Sequence, residues 1–178
     1  VGFTARAVDA DATNSAVTYA LTDDAGGRFA IDASTGVIRV AAALDAETAL
    51  SHTVTVLATS ADGSSATRSV GIVVEDVNEA PISAITDQDA AAETVREDAA
   101  IGTAVGFTAL AVDADATNSA VTYALTDNAS GRFTIDAASG VIRVAAALDA
   151  EAAPSHAVTV QATSADGSAT NRSVLIAV

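Results

Sequence analysis

Cysteine, methionine and tryptophan are absent from this chain, proline occurs twice, and aromatic residues make up only 3% of its 178 positions. Without cysteine there is no disulfide framework and no thiolate metal site. The compartment stays open, because many exported bacterial proteins also lack cysteine. With so few rings, the core has to be assembled from Ala, Val, Ile and Leu, with four Phe and two Tyr as its large pieces. Positive charge is scarce: 8 basic residues stand against 23 acids, a formal net charge of −15. Nucleic acid and anionic membrane both require a basic surface, so neither is expected as a partner. The acidity suits a solvated surface, cation binding or both. No apolar run approaches the roughly 20 residues that span a bilayer. The opening VGFTARAVDA lacks a basic stretch followed by an apolar one, so it is not a signal peptide and reads as a cut inside a longer protein.

What is present is mostly present twice. Placing Val1 on Val105 aligns residues 1–74 with 105–178 without a gap, and only 15 of the 74 positions differ. A period of about one domain's length indicates beads on a string rather than a solenoid. Residues 75–104 have no partner, so the fragment reads as a repeat lacking its opening (1–79, ending in the junction EDVNEAP) and a nearly whole one (80–178).

Within each copy the pattern is β. AVTYALT (16–22 and 120–126) alternates Val17, Tyr19 and Leu21 with Thr18, Ala20 and Thr22, and GVIRVAA (36–42) sets Ile38 and Val40 opposite Val37 and Arg39. HTVTVLAT (52–59) and RSVGIVVED (68–76) alternate likewise, and GRFAID (27–32) is a further short strand. Asp-Gly, Ser-Gly and Thr-Gly pairs punctuate them as turns. The spacing predicts an all-β antiparallel sandwich of about seven strands per complete repeat. AAALDAETA (41–49) favours helix by composition but is too short to stand alone, so it is expected as a turn or single helical turn.

The acids are ordered rather than scattered. VREDAAIGT (95–103), VDADATN (8–14 and 112–118), LDAE (44–47 and 148–151) and TSADGS (59–64 and 163–168) flank EDVNEAP at 75–81. Together with FAIDASTGVIRVAAALDAE at 29–47, these motifs resemble cadherin repeats over essentially the whole chain, particularly the cadherin-like domains of large bacterial surface adhesins. The resemblance implies tandem Greek-key, immunoglobulin-like sandwiches whose cofactor is Ca²⁺. That ion is a hard cation taking 6–8 oxygen ligands, and acids two apart on an extended segment share a side, as Asp113 and Asp115 do. It further implies one seam site from Asp45, Glu47, Asp76, Asn78, Glu79, Asp113 and Asp115, with Asn118 adding a backbone carbonyl. Half-sites follow at Glu97, Asp149 and Glu151, toward a following repeat, and at Asp9 and Asp11, toward a preceding one. The linker DVNEAP is one residue shorter than the family's fuller form. TSADGS has Ser164 where the family usually has Asp, with Asp166 two residues on. Two or three ions at the seam are expected.

The remaining candidates read as structural. Asp32 and Asp136 are expected to cap turns. Phe29 and Phe133 are expected as core anchors, and His52 and His156 as structural residues opening a strand. The N-x-S matches at Asn128 and Asn171 are taken as coincidence. No nucleophile elbow, H-E-x-x-H pair or phosphate-binding glycine loop occurs, so no enzyme is expected. The leading reading is a Ca²⁺-rigidified repeat module of a membrane-anchored or secreted cell-surface adhesin. Its partners are neighbouring repeats of the same chain and an identical adhesin on another cell or a surface glycan. The alternative is a β-sandwich module binding a glycan or protein through its loops.

Overall fold

The computed structural model describes residues 1–11, 13 and 15–178. It divides into two units, Val1–Val77 and Asn78–Val178, and is built from strands without a helix among the described residues.

Among its described residues the first unit has five strands: β1 (Val17–Asp23), β2 (Phe29–Ile31), β3 (Ile38–Val40), β4 (Ser51–Ser60) and β5 (Ser65–Val73). Antiparallel β1 and β5 flank β4, while β2 pairs with β3 in a second, smaller sheet. Ala5, Phe29, Ile38, Val54, Val56 and Ile72 form its buried core.

The second unit is the full sandwich, with the seven strands that the spacing predicts. They are β6 (Thr86–Asp87), β7 (Ala104–Leu110), β8 (Val121–Asp127), β9 (Phe133–Ile135), β10 (Val141–Val144), β11 (Ser155–Ser164) and β12 (Ala169–Ala177). One sheet has the order β6-β7-β10-β9, the other β12-β11-β8. Alternation along each strand turns every second residue inward. Val105, Phe107 and Ala109 of β7 and Ile142 and Val144 of β10 therefore share one core with Val158, Val160 and Ala162 of β11 and Val174 and Ile176 of β12. Arg172 lays its guanidinium 5.3 Å from the Phe107 ring centroid and donates to the Ile85 carbonyl at 3.1 Å, tying down a segment whose Ile82 and Ile85 also enter the core.

Two near-copies of one sequence allow a direct comparison. Val144 is 1% exposed, its counterpart Val40 51%. In the second unit Gly102 donates to the Val144 carbonyl and Val144 donates to the Thr103 carbonyl, so the segment before β7 covers this strand. In the first unit β3 pairs with β2, and on the side that β7 takes in the second unit the described residues make a single bridge, Thr4 to Val37. Alternation alone put Ile38 and Val40 on the same face, but burial depends on a third strand being there.

The turns follow their chemistry. Asp136 Oδ1 accepts from the amides of Ala138 and Ser139 and from the Ser139 hydroxyl, and Asp32 Oδ1 accepts from both the amides and the hydroxyls of Ser34 and Thr35. These bonds favour the ionised form and hold both carboxyls below the usual carboxylate range. Gly140 closes the turn at φ 71°, and a Cβ there would meet the Ala109 carbonyl oxygen at 2.4 Å, so this backbone approach admits only glycine. Residues 45–49 form the single helical turn expected of them, closed by Ala49 N–H to the Asp45 carbonyl at 3.0 Å.

Phe29 and Phe133 are each 2% exposed, as expected of core anchors. His156 meets the Phe133 ring edge-on at 5.8 Å, and its Nε2 is buried without a hydrogen-bond partner. Burial, and secondarily the charge of Arg132, lowers its pKa below the ordinary histidine value of 6.5. The sign of the linkage follows. Above about pH 6.5 folded and unfolded chains are both neutral at this ring; below it the unfolded chain takes up the proton first, so stability falls with pH until the folded ring also titrates. Denaturant midpoints measured from pH 7.5 to 5 should therefore decline for the unaltered chain and decline less for His156→Phe.

Candidate metal centre

The positions of the key acids in the second unit are set by a tyrosine. Tyr123 of β8 is buried, and its hydroxyl accepts the Ala111 amide at 3.0 Å. This fixes the chain just as it leaves β7, two residues before Asp113. Ser83 then straps the exit from the other side: its amide donates to the Val112 carbonyl at 2.8 Å and its hydroxyl accepts the Val112 amide at 2.9 Å. The segment 78–83 is thus laid along the loop that carries Asp113 and Asp115.

Asp113 and Asp115 are 7% and 5% exposed, a rare condition for carboxylates. Asp113 accepts the Asp115 amide through Oδ1 and the Ser164 hydroxyl through Oδ2. Asp115 Oδ1 accepts the amides of Glu79 and Ala80 at 3.2 and 3.1 Å. Asp115 Oδ2 is buried and has no hydrogen-bond partner at all. Asn118, at φ 54°, brings its carbonyl oxygen 3.1 Å from the Ser164 hydroxyl.

A third acid joins these two. Asp166, on the turn between β11 and β12, brings a carboxylate oxygen within 4.8 Å of one from each of Asp113 and Asp115. Its Oδ1 accepts the Ser168 amide and hydroxyl at 2.7 and 2.8 Å, and its Oδ2 accepts Asn78 Nδ2 at 2.6 Å. Those donors, Ser168 foremost, hold its carboxyl below the usual range. Among the described residues no Arg pairs with any of the three; the Arg–carboxylate ion pair recorded is Arg96–Asp98. Two unit charges about 5 Å apart repel by about 3 kcal/mol at an effective dielectric near 20. Two buried carboxylates and a half-buried third, uncompensated among the described residues, suit a hard cation, and an orphaned carboxylate oxygen is what such an ion would satisfy.

The other sequence-predicted residues are placed as follows. Glu97, Asp149 and Glu151 converge on the surface of the second unit, each with an oxygen within 4.8 Å of the others, and Glu97 Oε2 accepts the Ala150 amide. In the first unit Asp9 and Asp11 converge in the same way with Asp62, and Asp9 accepts the Ser60 hydroxyl, repeating the Asp113–Ser164 arrangement. Glu47 and Asp76 approach each other within the same limit. Asp45 is not among the acids so gathered. Both of its oxygens are taken by Thr48, one by the amide at 3.0 Å and one by the hydroxyl at 2.9 Å, which lowers its pKa. Asp62 and Asp166 were not named as ligands from sequence. The available signal was TSADGS itself, present in both copies at the same distance from VDADATN.

Comparison with known proteins gives a consistent picture. The family model described as "Cadherin domain" matches residues 2–77 and again 92–178. Human protocadherin Fat 4 is 34% identical over 166 residues, covering 92% of this chain and 3% of that protein. Rat cadherin-7 is 35% identical over 176 residues, covering 88% of this chain and 22% of that protein. The chain therefore spans a small part of the relatives it matches. Among solved structures, mouse cadherin-23 EC22-24 superposes with a TM-score of 0.74 at 30% identity, over 98% of this chain and 57% of that one. Protocadherin gammaB7 EC3-6, at 21% identity and a TM-score of 0.79 over 99% of this chain and 46% of that one, shares the fold.

Proposed function

The chain belongs to the cadherin family, and from that premise we propose that it is a calcium-binding, calcium-stiffened repeat module of an extracellular adhesion protein. Cadherin domains are adhesion modules rather than enzymes, in keeping with a site of crowded acids and no nucleophile. The observation that carries the calcium reading is the 5%-exposed Asp115, whose Oδ2 has no protein partner. Asp113, Asp115, Asn118 and the linker residues Asn78 and Glu79 are the proposed ligands in the second unit. Asp45, Glu47 and Asp76 are proposed for the first unit's share. Glu97, Asp149 and Glu151, and Asp9 with Asp11, are proposed as partial sites of the same kind.

A bound Ca²⁺ supplies positive charge and oxygen coordination where the chain has collected negative charge. The protein's part is to hold the carboxylates ready: the Tyr123 and Ser83 contacts fix the backbone, and the amides of Glu79 and Ala80 tie Asp115 to the linker. With their mutual repulsion offset, these acids would hold the linker segment 78–80 more firmly against the loop that carries Asp113 and Asp115. The wider role we propose is that of an extender in a large surface adhesin. Its partners are neighbouring repeats, and contact with an identical adhesin or a surface glycan belongs to the parent protein.

The test follows thermal unfolding and small-angle scattering of the chain as millimolar Ca²⁺ is added. The unaltered chain should melt higher and give a narrower distribution of dimensions. Asp113→Ala/Asp115→Ala should respond in neither. Unchanged melting and scattering of the unaltered chain at 10 mM Ca²⁺ would reduce the acids to surface charge.

A further inference from the structure

We propose that Asp62–Gly63, in the turn between β4 and β5, is a site of spontaneous covalent modification, the isomerisation of aspartate to isoaspartate, and that the fold shields the identical dipeptide Asp166–Gly167 from it. The inference stands apart from the calcium reading. Both dipeptides lie in the same six residues, TSADGS, at 59–64 and 163–168. The Gly63 amide nitrogen attacks Cγ of the Asp62 carboxyl; the N–Cγ bond forms, a C–O bond breaks, and water leaves with the amide proton. Water then adds to the five-membered succinimide. Opening at one carbonyl returns aspartate, and opening at the other leaves the backbone running through the side-chain carbon. Nothing is oxidised or reduced, and water is the only reagent. Glycine is the favourable second residue because no Cβ crowds its nitrogen.

Because the local sequence is the same, a difference in reactivity has to come from the fold. The turns themselves are built alike. Gly63 and Gly167 have φ of 94° and 97°, and their amides donate to the Ser60 and Ser164 carbonyls at 3.0 Å. Each aspartate Oδ1 accepts the amide of the serine two residues on, Ser64 at 2.8 Å and Ser168 at 2.7 Å.

The second turn carries a clasp in addition. Asn78 Nδ2 donates to Asp166 Oδ2 at 2.6 Å, and the Ile82 amide donates to the Ser168 hydroxyl at 3.3 Å. Residues 78–82 thus hold the turn at two points, and Asp166 is half-buried, whereas Asp62 and Gly63 are exposed. Attack requires Cγ to swing onto the glycine nitrogen, which frees the carboxylate from its donors. At Asp166 that includes giving up the Asn78 bond, which has no counterpart at Asp62 among the described residues. Losing one hydrogen bond to a charged group lowers the reactive population about tenfold. The product also has a structural consequence. The Ser60 amide donates to the Ser64 carbonyl at 2.8 Å, and an isoaspartyl link adds a backbone methylene inside the turn that this bond closes. The β4–β5 pairing next to it, Thr59 with Ser65, is what the extra methylene loosens.

Peptide mapping by mass spectrometry, after weeks of incubation at neutral pH in calcium-free buffer, tests this on the full chain. Cleavage after arginine delivers the two aspartates in residues 40–68 and 144–172, peptides of different sequence. In the folded chain isoaspartate should accumulate at Asp62 about tenfold faster than at Asp166. In denaturant, where only TSADGS counts, the two rates should be equal. Asn78→Ala should raise the Asp166 rate toward that of Asp62, while hydrogen exchange of the β11 amides stays slow and so excludes unfolding as the cause. Equal rates at the two sites of the folded chain, or conversion at Asp166 first, would overturn the proposal. So would an Asp62 that stays unconverted while the denatured chain reacts. An unchanged Asp166 rate in Asn78→Ala would overturn the assignment of the shielding to the Asn78 clasp.

Discussion

In calcium-free buffer the Asp115→Asn chain is expected to melt higher than the unaltered chain, and in millimolar Ca²⁺ it is expected to melt lower. The inversion follows from the two oxygens of Asp115. Oδ1 accepts two backbone amides, from Glu79 and Ala80, and an asparagine oxygen keeps both bonds. Oδ2 has no donor, and Asp115 belongs to a group with two other carboxylates. Replacing Oδ2 with an amide nitrogen turns an unsatisfied acceptor among acceptors into a donor among acceptors. The gain combines relief of repulsion with one or two new hydrogen bonds, about 1–3 kcal/mol. For a unit of this size that is several degrees of melting temperature. With calcium the balance reverses, because the unaltered chain gains RT ln(1 + [L]/Kd), about 1.4 kcal/mol at tenfold excess over Kd, and the variant loses a ligand. Extracellular calcium modules bind at roughly 10⁻⁴–10⁻³ M, so scans at zero and 10 mM Ca²⁺ bracket the crossing. Melting curves shifted in the same direction under both conditions would count against a metal role for Asp115.

The second large effect lies in the core. Phe133→Ala removes a ring that is 2% exposed from a core otherwise made almost wholly of Val, Ile, Leu and Ala. Such small, stiff β-branched neighbours do not bend into the space, so most of the cavity remains. The expected cost is about 3–5 kcal/mol, a large part of the stability of a domain this size. The ring also packs against His156 edge-on, so the variant uncovers the imidazole. Urea unfolding of Phe133→Ala should show the second unit's midpoint collapse. Its pH dependence between 7.5 and 5 should flatten, because a hydrated histidine titrates alike in both states. Phe133→Leu, which restores most of the volume, should recover more than half the loss.

The strands of the second unit were legible because alternation is a local property of the chain. Val158, Val160 and Ala162 announce a buried face by their spacing alone. The acid motifs were legible for a related reason: Asp-x-Asp puts two carboxylates on one side over a span that needs no tertiary information. What the sequence could not reveal depends on distant segments. Val40 has the same neighbours in sequence as Val144, yet only Val144 is covered, because residues 102–104 lie against it. Asp166, the Asp of an Asp-Gly turn pair two residues after Ser164, is placed beside Asp113 and Asp115 by strand pairing that its neighbours in sequence do not announce. Asp45 has a contact that spacing did not announce: Thr48 donates to both of its oxygens, by its amide to one and by its hydroxyl to the other.

The pairing of β1 with β4 and of β8 with β11 has a bearing on how the chain finds its fold. Val17 sits opposite Ser60 and Val121 opposite Ser164, the same register displaced by one repeat, and β1 and β8 are both VTYALTD. Nothing in the side chains of β4 therefore distinguishes its own partner from the other copy's. Neighbouring domains of a chain normally differ enough in sequence that a hairpin borrowed from next door packs badly; here a borrowed one would fit. What protects the native arrangement is time rather than chemistry. The native partners of β4 lie 32 to 43 positions away and the equivalent residues of β8 lie 61 to 72 away, so the native loop closes faster. Refolding at high dilution from denaturant is then a race between copies, and synthesis from one end, with the first copy folding before the second has been made, removes the competitor.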